Sequence, residues 1–141
     1  MSTPKRDQLR LPANLEYHHR LKNFILDYAS KEGFDERRCH QIELASDEIL
    51  ANIISYAYPE EKGDISVICD SDQDGALLVQ IIDTGVPFNP LEVGEPNLYL
   101  GVEERKMGGL GVFLSRKMVD EFRYCRQEGR NIVTLYKKKT D

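Results

Sequence analysis

Glu48 and Asn52 stand four residues apart in the stretch Ile-Glu-Leu-Ala-Ser-Asp-Glu-Ile-Leu-Ala-Asn-Ile-Ile-Ser-Tyr-Ala-Tyr, residues 42 to 58, which Pro59 terminates. On a helix that spacing leaves the two side chains only about 40° apart around the axis. A carboxylate beside a neutral amide suits nucleotide chemistry. An Asn oxygen can ligate Mg²⁺, which keeps several waters and takes its other ligands from phosphate, while a Glu not engaged by the metal can accept a proton from an attacking hydroxyl. A solvated face is the ordinary fate of a helical Glu. Asn52 is harder to dismiss, because Asn is a mediocre helix former whose amide needs partners for one acceptor and two donors.

Two glycine-containing segments downstream invite the same chemistry. Asp83 ends an apolar run and opens Asp-Thr-Gly85; a carboxylate there can accept from an exocyclic amine such as that of adenine, or simply close an Asx turn. Gly108, Gly109, Leu110 and Gly111 precede an amphipathic segment with Val112, Phe113, Leu114 and Met118 as its apolar positions. Exposed backbone N–H groups at such a helix mouth attract polyphosphate. A hinge or tight turn would leave the same letters.

The elements that must position these residues follow from the hydrophobic period. Ile42, Ala45, Ile49, Ile53 and Tyr56, with Leu50, Ile54 and Ala57 beside them, form one apolar stripe at spacings of three and four. Asp35 is placed to cap that helix. An earlier helix carries Leu21, Phe24, Ile25, Tyr28 and Ala29 on its apolar face, with Asn14 as its expected N-cap and Gly33 at its end. Gln8 to Leu11 reads as a short strand. Beyond Pro59 the period falls to two: Ile65, Val67 and Cys69 alternate, Asp72 to Gly75 turns, and Ala76 to Ile82 is a nearly continuous apolar run, predicting a hairpin with a central second strand. Leu91 to Met107, with Pro96 and two glycines, sustains no period and reads as a crossover loop. Glu121 to Arg126 and Asn131 to Lys137 make a second hairpin around Gln127 to Arg130.

Composition narrows the class. At 141 residues, 40% hydrophobic and 30% charged, the chain reads as one soluble domain spanning 1–141. A net charge of -5 and a pI near 5.3 argue against nucleic acid as the principal ligand. No apolar run reaches the ~18 residues of a membrane span and the N-terminus lacks a signal core, so the expected location is cytoplasmic. Cys39, Cys69 and Cys125 are odd in number and widely spaced, and read as buried thiols rather than a disulfide framework or zinc site. His18, His19 and His40 lack metal-ligand spacing.

Taken in order, Glu48-x-x-x-Asn52, Asp83-x-Gly85 and Gly108-Gly109-Leu110-Gly111 closely resemble the N, G1 and G2 boxes of the histidine-kinase-like ATPase superfamily. Within it the chain is similar to the anti-sigma factor serine-protein kinases, a resemblance that covers nearly its whole length and includes Tyr56-Ala57-Tyr58 after the first box and Met118-Val119-Asp120 before the last hairpin. The resemblance implies an α+β, two-layer sandwich with a mixed, mostly antiparallel sheet and three main helices on one face. It implies ATP and Mg²⁺ as cofactors. By position it makes Glu48 the catalytic base, Asn52 the Mg²⁺ ligand, Asp83 the adenine-reading carboxylate, and Gly85, Gly108, Gly109, Leu110 and Gly111 the nucleotide loops. Arg105 and Lys106 lie just before the last of these, where a cation could meet phosphate or form part of a solvated lid. The sequence departs from the wider pattern at Pro87, where many members carry a second glycine; Pro removes an N–H and fixes φ there. The implied activity is phosphorylation of a small anti-anti-sigma antagonist protein, alternating with sequestration of a sigma factor, by a homodimer. An ATP-gated binding module without phosphoryl transfer is the alternative. A stand-alone sensor-kinase domain fits less well, since no dimerisation helix precedes the domain and His18-His19 read as surface residues.

Overall fold

The computed structural model describes residues 6–60, 62–90 and 115–140. Strand β1 (Asp7–Pro12) leads into helix α1 (Leu15–Lys31) and helix α2 (Glu36–Asn52), which continues as a π turn over Ile53–Ala57. Strands β2 (Asp64–Ser71), β3 (Leu77–Asp83), β4 (Glu121–Gln127) and β5 (Arg130–Lys137) complete the described elements, and residues 115–118 are helical. The strands form one sheet in the order β1-β2-β3-β5-β4, and every pairing is antiparallel.

Strict alternation sorts the central strands onto two faces. Ile65, Val67 and Cys69 of β2, Leu77, Val79 and Ile81 of β3, and Val133 and Leu135 of β5 all point into the core. They meet Leu21, Ile25, Tyr28 and Ala29 of α1 and Ile42, Ala45, Ile49 and Leu50 of α2, which recur at helical spacing as the sequence leads one to expect. The helices thus cover one face of the sheet, and the fold is the α+β sandwich anticipated above. Placing β5 beside β3 leaves β4 at the edge, where alternate residues remain exposed.

Local signals behave unevenly. Asp35 caps α2 by accepting from Arg38 N at 2.8 Å. Asn14 occupies the N-cap position of α1 but its side chain makes no capping bond. Asp72 closes the β2–β3 turn, its Oδ1 accepting from Asp74 N and Ala76 N at 2.9 Å. The apolar stripe of α2 needs a correction at its end. The π turn is wider than an α turn, so Ala57 follows Ile53 into the core while Tyr56, expected inside, is 46% exposed. The thiols also differ from expectation: Cys69 is buried, Cys39 half-buried, and Cys125 exposed on the edge strand. His18 is half-buried with Nε2 2.9 Å from Asp47 Oδ1, and His19 is exposed.

Candidate functional site

The site begins where α2 changes pitch. Asn52 is the last α-helical residue, and the π turn that follows carries Ile53, Tyr56 and Ala57 around one end of the sheet. Single π turns recur at functional positions because they re-aim a side chain without ending the helix. Asn52 Nδ2 is buried and has no hydrogen-bond partner among the described residues, which costs about 1–3 kcal/mol unless a ligand supplies one. It lines a cavity walled by Ile49, Ile53 and Val86, with Phe88 beside them and Asp83 as its carboxylate.

Asp83 is the last residue of β3 and is 4% exposed. Its Oδ1 accepts from Gly85 N at 2.8 Å and from Asn131 Nδ2 at 2.9 Å; among the described residues Oδ2 receives no hydrogen bond. Burial pushes the carboxyl above its usual range, opposed by those two hydrogen bonds and by the Arg126 guanidinium. The cavity that Asp83 shares with Asn52 is otherwise lined mainly by apolar side chains, which suits a planar base bearing an amine.

The turn after Asp83 is fastened to the end of the π turn. Val86 N donates to Ala57 O at 2.9 Å. Tyr58 Oη donates to Asp64 O at 2.7 Å and accepts from Thr84 N at 2.8 Å, tying the helix exit to β2 and to the turn at once. Arg126, on β4, donates from Nη1 to Gly85 O at 2.8 Å. Gly85 is required by this closeness: a Cβ there would lie 2.2 Å from Ala57 O and 2.6 Å from Ala57 Cβ. Pro87 is exposed, outside that contact.

Of the residues singled out by sequence, Asn52 and Asp83 line one cavity and Gly85 holds their supporting elements together. Glu48, one turn back, lines a neighbouring cavity with Leu44, Asp47, Ser115 and Met118. Gly108, Gly109, Leu110 and Gly111 lie outside the described residues, as do Arg105, Lys106 and the rest of 91–114. The helical residues that follow them pack on α2: Ser115 Oγ donates to Ala45 O at 3.4 Å, and Lys137 Nζ donates to Met118 O and to Gln41 Oε1 at 2.7 and 2.8 Å. Asn131, Tyr124 and Arg126 belong to the site but were missed in the sequence. Asn is depleted in strands, so an Asn opening the β-branched run Asn-Ile-Val-Thr was the one available signal, and it reads equally well as part of the turn.

Comparison with known proteins identifies the family. The profile of the Histidine kinase-like ATPase domain matches residues 11–137, nearly the whole chain. The chain belongs to that family. Membership implies an ATP-binding domain, consistent with a largely apolar cavity that carries Asp83 as its carboxylate. Among characterised relatives, the domain is 26% identical over 130 residues to the serine-protein kinase RsbW of Bacillus mycoides, covering 89% of this chain and 81% of that one. The RsbW of Bacillus cereus is 27% identical over the same lengths. In structure the domain resembles a Mycobacterium tuberculosis protein solved as its RsbU and RsbW domains, with a TM-score of 0.68 at 19% identity, over 95% of this chain and 32% of that one. A histidine kinase domain from a blue-light-activated kinase of Erythrobacter litoralis gives a TM-score of 0.57 at 18% identity, over 88% of this chain and 60% of the other. Those likenesses establish the fold. Among the described residues no helix is long and apolar enough to cross a membrane.

Proposed function

We propose that this ATPase domain is a cytoplasmic protein serine/threonine kinase and anti-sigma factor, phosphorylating an anti-anti-sigma antagonist and alternately holding a sigma factor, as a homodimer. The observation that carries the reading is the pairing of Asn52's unpartnered amide with Asp83's open Oδ2 in one cavity, in a chain similar to RsbW kinases. The residues fit the nucleotide and its metal. A buried amide end without a partner among the described residues is available to a ligand, and rotating the amide by 180° presents Oδ1, a hard oxygen suited to Mg²⁺.

In this reading Asn52 holds the metal and Asp83 orients the base. Gly108, Gly109, Leu110 and Gly111 offer backbone N–H groups to the phosphates. Bound Mg²⁺–ATP supplies the phosphoryl group, with the metal offsetting its charge. Glu48 would accept the proton of the attacking serine hydroxyl as the new O–P bond forms and the bond from the γ-phosphorus to the bridging oxygen breaks, releasing ADP. Asn52→Ala is expected to abolish Mg²⁺-dependent ATP binding by calorimetry, and Glu48→Gln to abolish phosphate transfer to the antagonist while ATP still binds. Full transfer by Glu48→Gln would remove Glu48 from the mechanism.

One observation favours the alternative of an ATP-gated binding module. Glu48 faces a cavity different from that of Asn52 and Asp83. If wild type binds Mg²⁺–ATP and its partner but transfers no phosphate, the gated module replaces the kinase.

A further inference from the structure

Asn131 sits directly across from Asp83 in the β3–β5 ladder, and both are 4% exposed. Its amide uses its full hydrogen-bonding capacity. Nδ2 donates to Asp83 Oδ1 at 2.9 Å and to Val86 O at 2.8 Å; Oδ1 accepts from Tyr124 Oη at 2.6 Å and, over a long 3.5 Å, from Phe88 N. This pattern admits one orientation. Flipping the amide would set its oxygen against the Asp83 carboxylate and the Val86 carbonyl, and its NH₂ against Phe88 N–H. Tyr124, one strand further out on β4, therefore fixes the Asn131 amide, and Asn131 fixes the carboxylate.

The geometry points to Asn131 as the positioning residue that decides which purine the site accepts, with Tyr124 holding Asn131 in the orientation that work requires. This rests on the nucleotide reading given above. The two carboxylate oxygens, Oδ1 and Oδ2, divide the work. Gly85 N and Asn131 Nδ2 saturate Oδ1 and stabilise the ionised carboxylate, leaving Oδ2 as a pure acceptor. An acceptor selects a 6-amino purine and repels a 6-oxo purine, whose exocyclic oxygen is itself an acceptor. Without Asn131 the buried carboxyl takes up a proton more readily and becomes a donor. It then fits the 6-oxo base and loses its hold on the 6-amino one. Among the described residues, the titratable and charged groups around Asp83 are Arg126 and Tyr124 from β4, Tyr56 of the π turn on the cavity shared with Asn52, and Arg10 of β1, Asp64 of β2 and Arg130 of β5 on a second cavity that Asp83 also lines; α2 offers the neutral Asn52 and β2 the apolar cross-strand partner Ile65. None of these replaces the bond that Asn131 donates.

The test is calorimetric titration of full-length wild type, Asn131→Leu and Tyr124→Phe with ATP and with ITP, at fixed Mg²⁺, from pH 5 to 8. Wild type is expected to prefer ATP by more than about tenfold. In Asn131→Leu ATP affinity should fall by about tenfold or more and the ATP/ITP ratio should collapse toward unity. The pH below which ATP binding is lost should rise by about one unit, a change that loosened packing alone would not produce. Tyr124→Phe removes one hydroxyl from a half-buried site and should move ratio and pH profile the same way by less; it decides the matter if Asn131→Leu does not fold. Wild-type ratio and wild-type pH profile in the folded variants would overturn the proposal alone. Wild type binding neither ATP nor ITP would overturn the nucleotide reading and the proposal with it.

Discussion

Gly85→Ala offers a direct test of how the site is held together. The added methyl would meet Ala57 O at 2.2 Å, Ala57 Cβ at 2.6 Å and Ala57 C at 2.7 Å. Two of these atoms are backbone, so no rotamer change relieves the overlap. Either the turn after Asp83 or the π turn must move, and either motion lengthens the Val86 N to Ala57 O bond, now 2.9 Å. Overpacking of this kind costs about 1–3 kcal/mol and the weakened hydrogen bond about 1 kcal/mol more. For a domain of this length the sum corresponds to a Tm lower by roughly 6–12 °C. The same motion separates Asp83 from Asn52, so ATP affinity should fall by more than about tenfold. Gly129→Ala is the control. Nothing lies within 4 Å of a Cβ there, but φ is +77°, so a loss of about 1 kcal/mol is expected with ATP binding intact. Thermal scanning and calorimetry on both variants check the reasoning. A Gly85→Ala protein that melts within 2 °C of wild type and binds ATP normally would refute the bolted contact between the two elements.

Asp83→Asn should preserve the hydrogen bonds to Oδ1 while removing a buried charge. Because the folded carboxyl has its pKa raised, wild-type stability falls as pH rises from the usual carboxylate range through that raised value; the variant should lack this slope and be at least as stable as wild type at pH 8, yet bind ATP at least about tenfold more weakly. Urea melts at pH 4 and pH 8 would show it, and an unchanged slope would mean that Asp83 is not the group responsible. Thiol titration under native conditions should modify Cys125 first and Cys39 slowly, leaving Cys69, pushed by burial to a pKa of about 12, untouched until unfolding. Lys137→Met should destabilise the fold by about 1–3 kcal/mol by stranding Met118 O and Gln41 Oε1, read as a lower urea midpoint with unchanged m.

What the sequence determined by itself was whatever depends on neighbours within a turn or two. The period of three and four from Ile42 to Ile53 specified α2 and set Glu48 and Asn52 one turn apart. The alternation of Ile65, Val67 and Cys69 specified which face of β2 is buried, and Asp35 and Asp72 fixed a cap and a turn through bonds to residues two to four positions on. The order of the Glu48/Asn52, Asp83/Gly85 and Gly108–Gly111 motifs carried the family resemblance, and with it the sandwich. Tertiary structure alone decided the rest. Nothing in the local pattern requires β5 to pair with β3 and push β4 to the edge, yet that order leaves Cys125 exposed and sets Asn131, 48 residues away in sequence, against Asp83. The π turn shifted the helical phase by its extra width, turning Ala57 inward and Tyr56 out. Gly85 reads as a loop glycine until Ala57 is seen against it. Strand order and close approach arise from packing the whole chain around one core, and short-range periodicity holds no record of which distant backbone arrives at a given side chain.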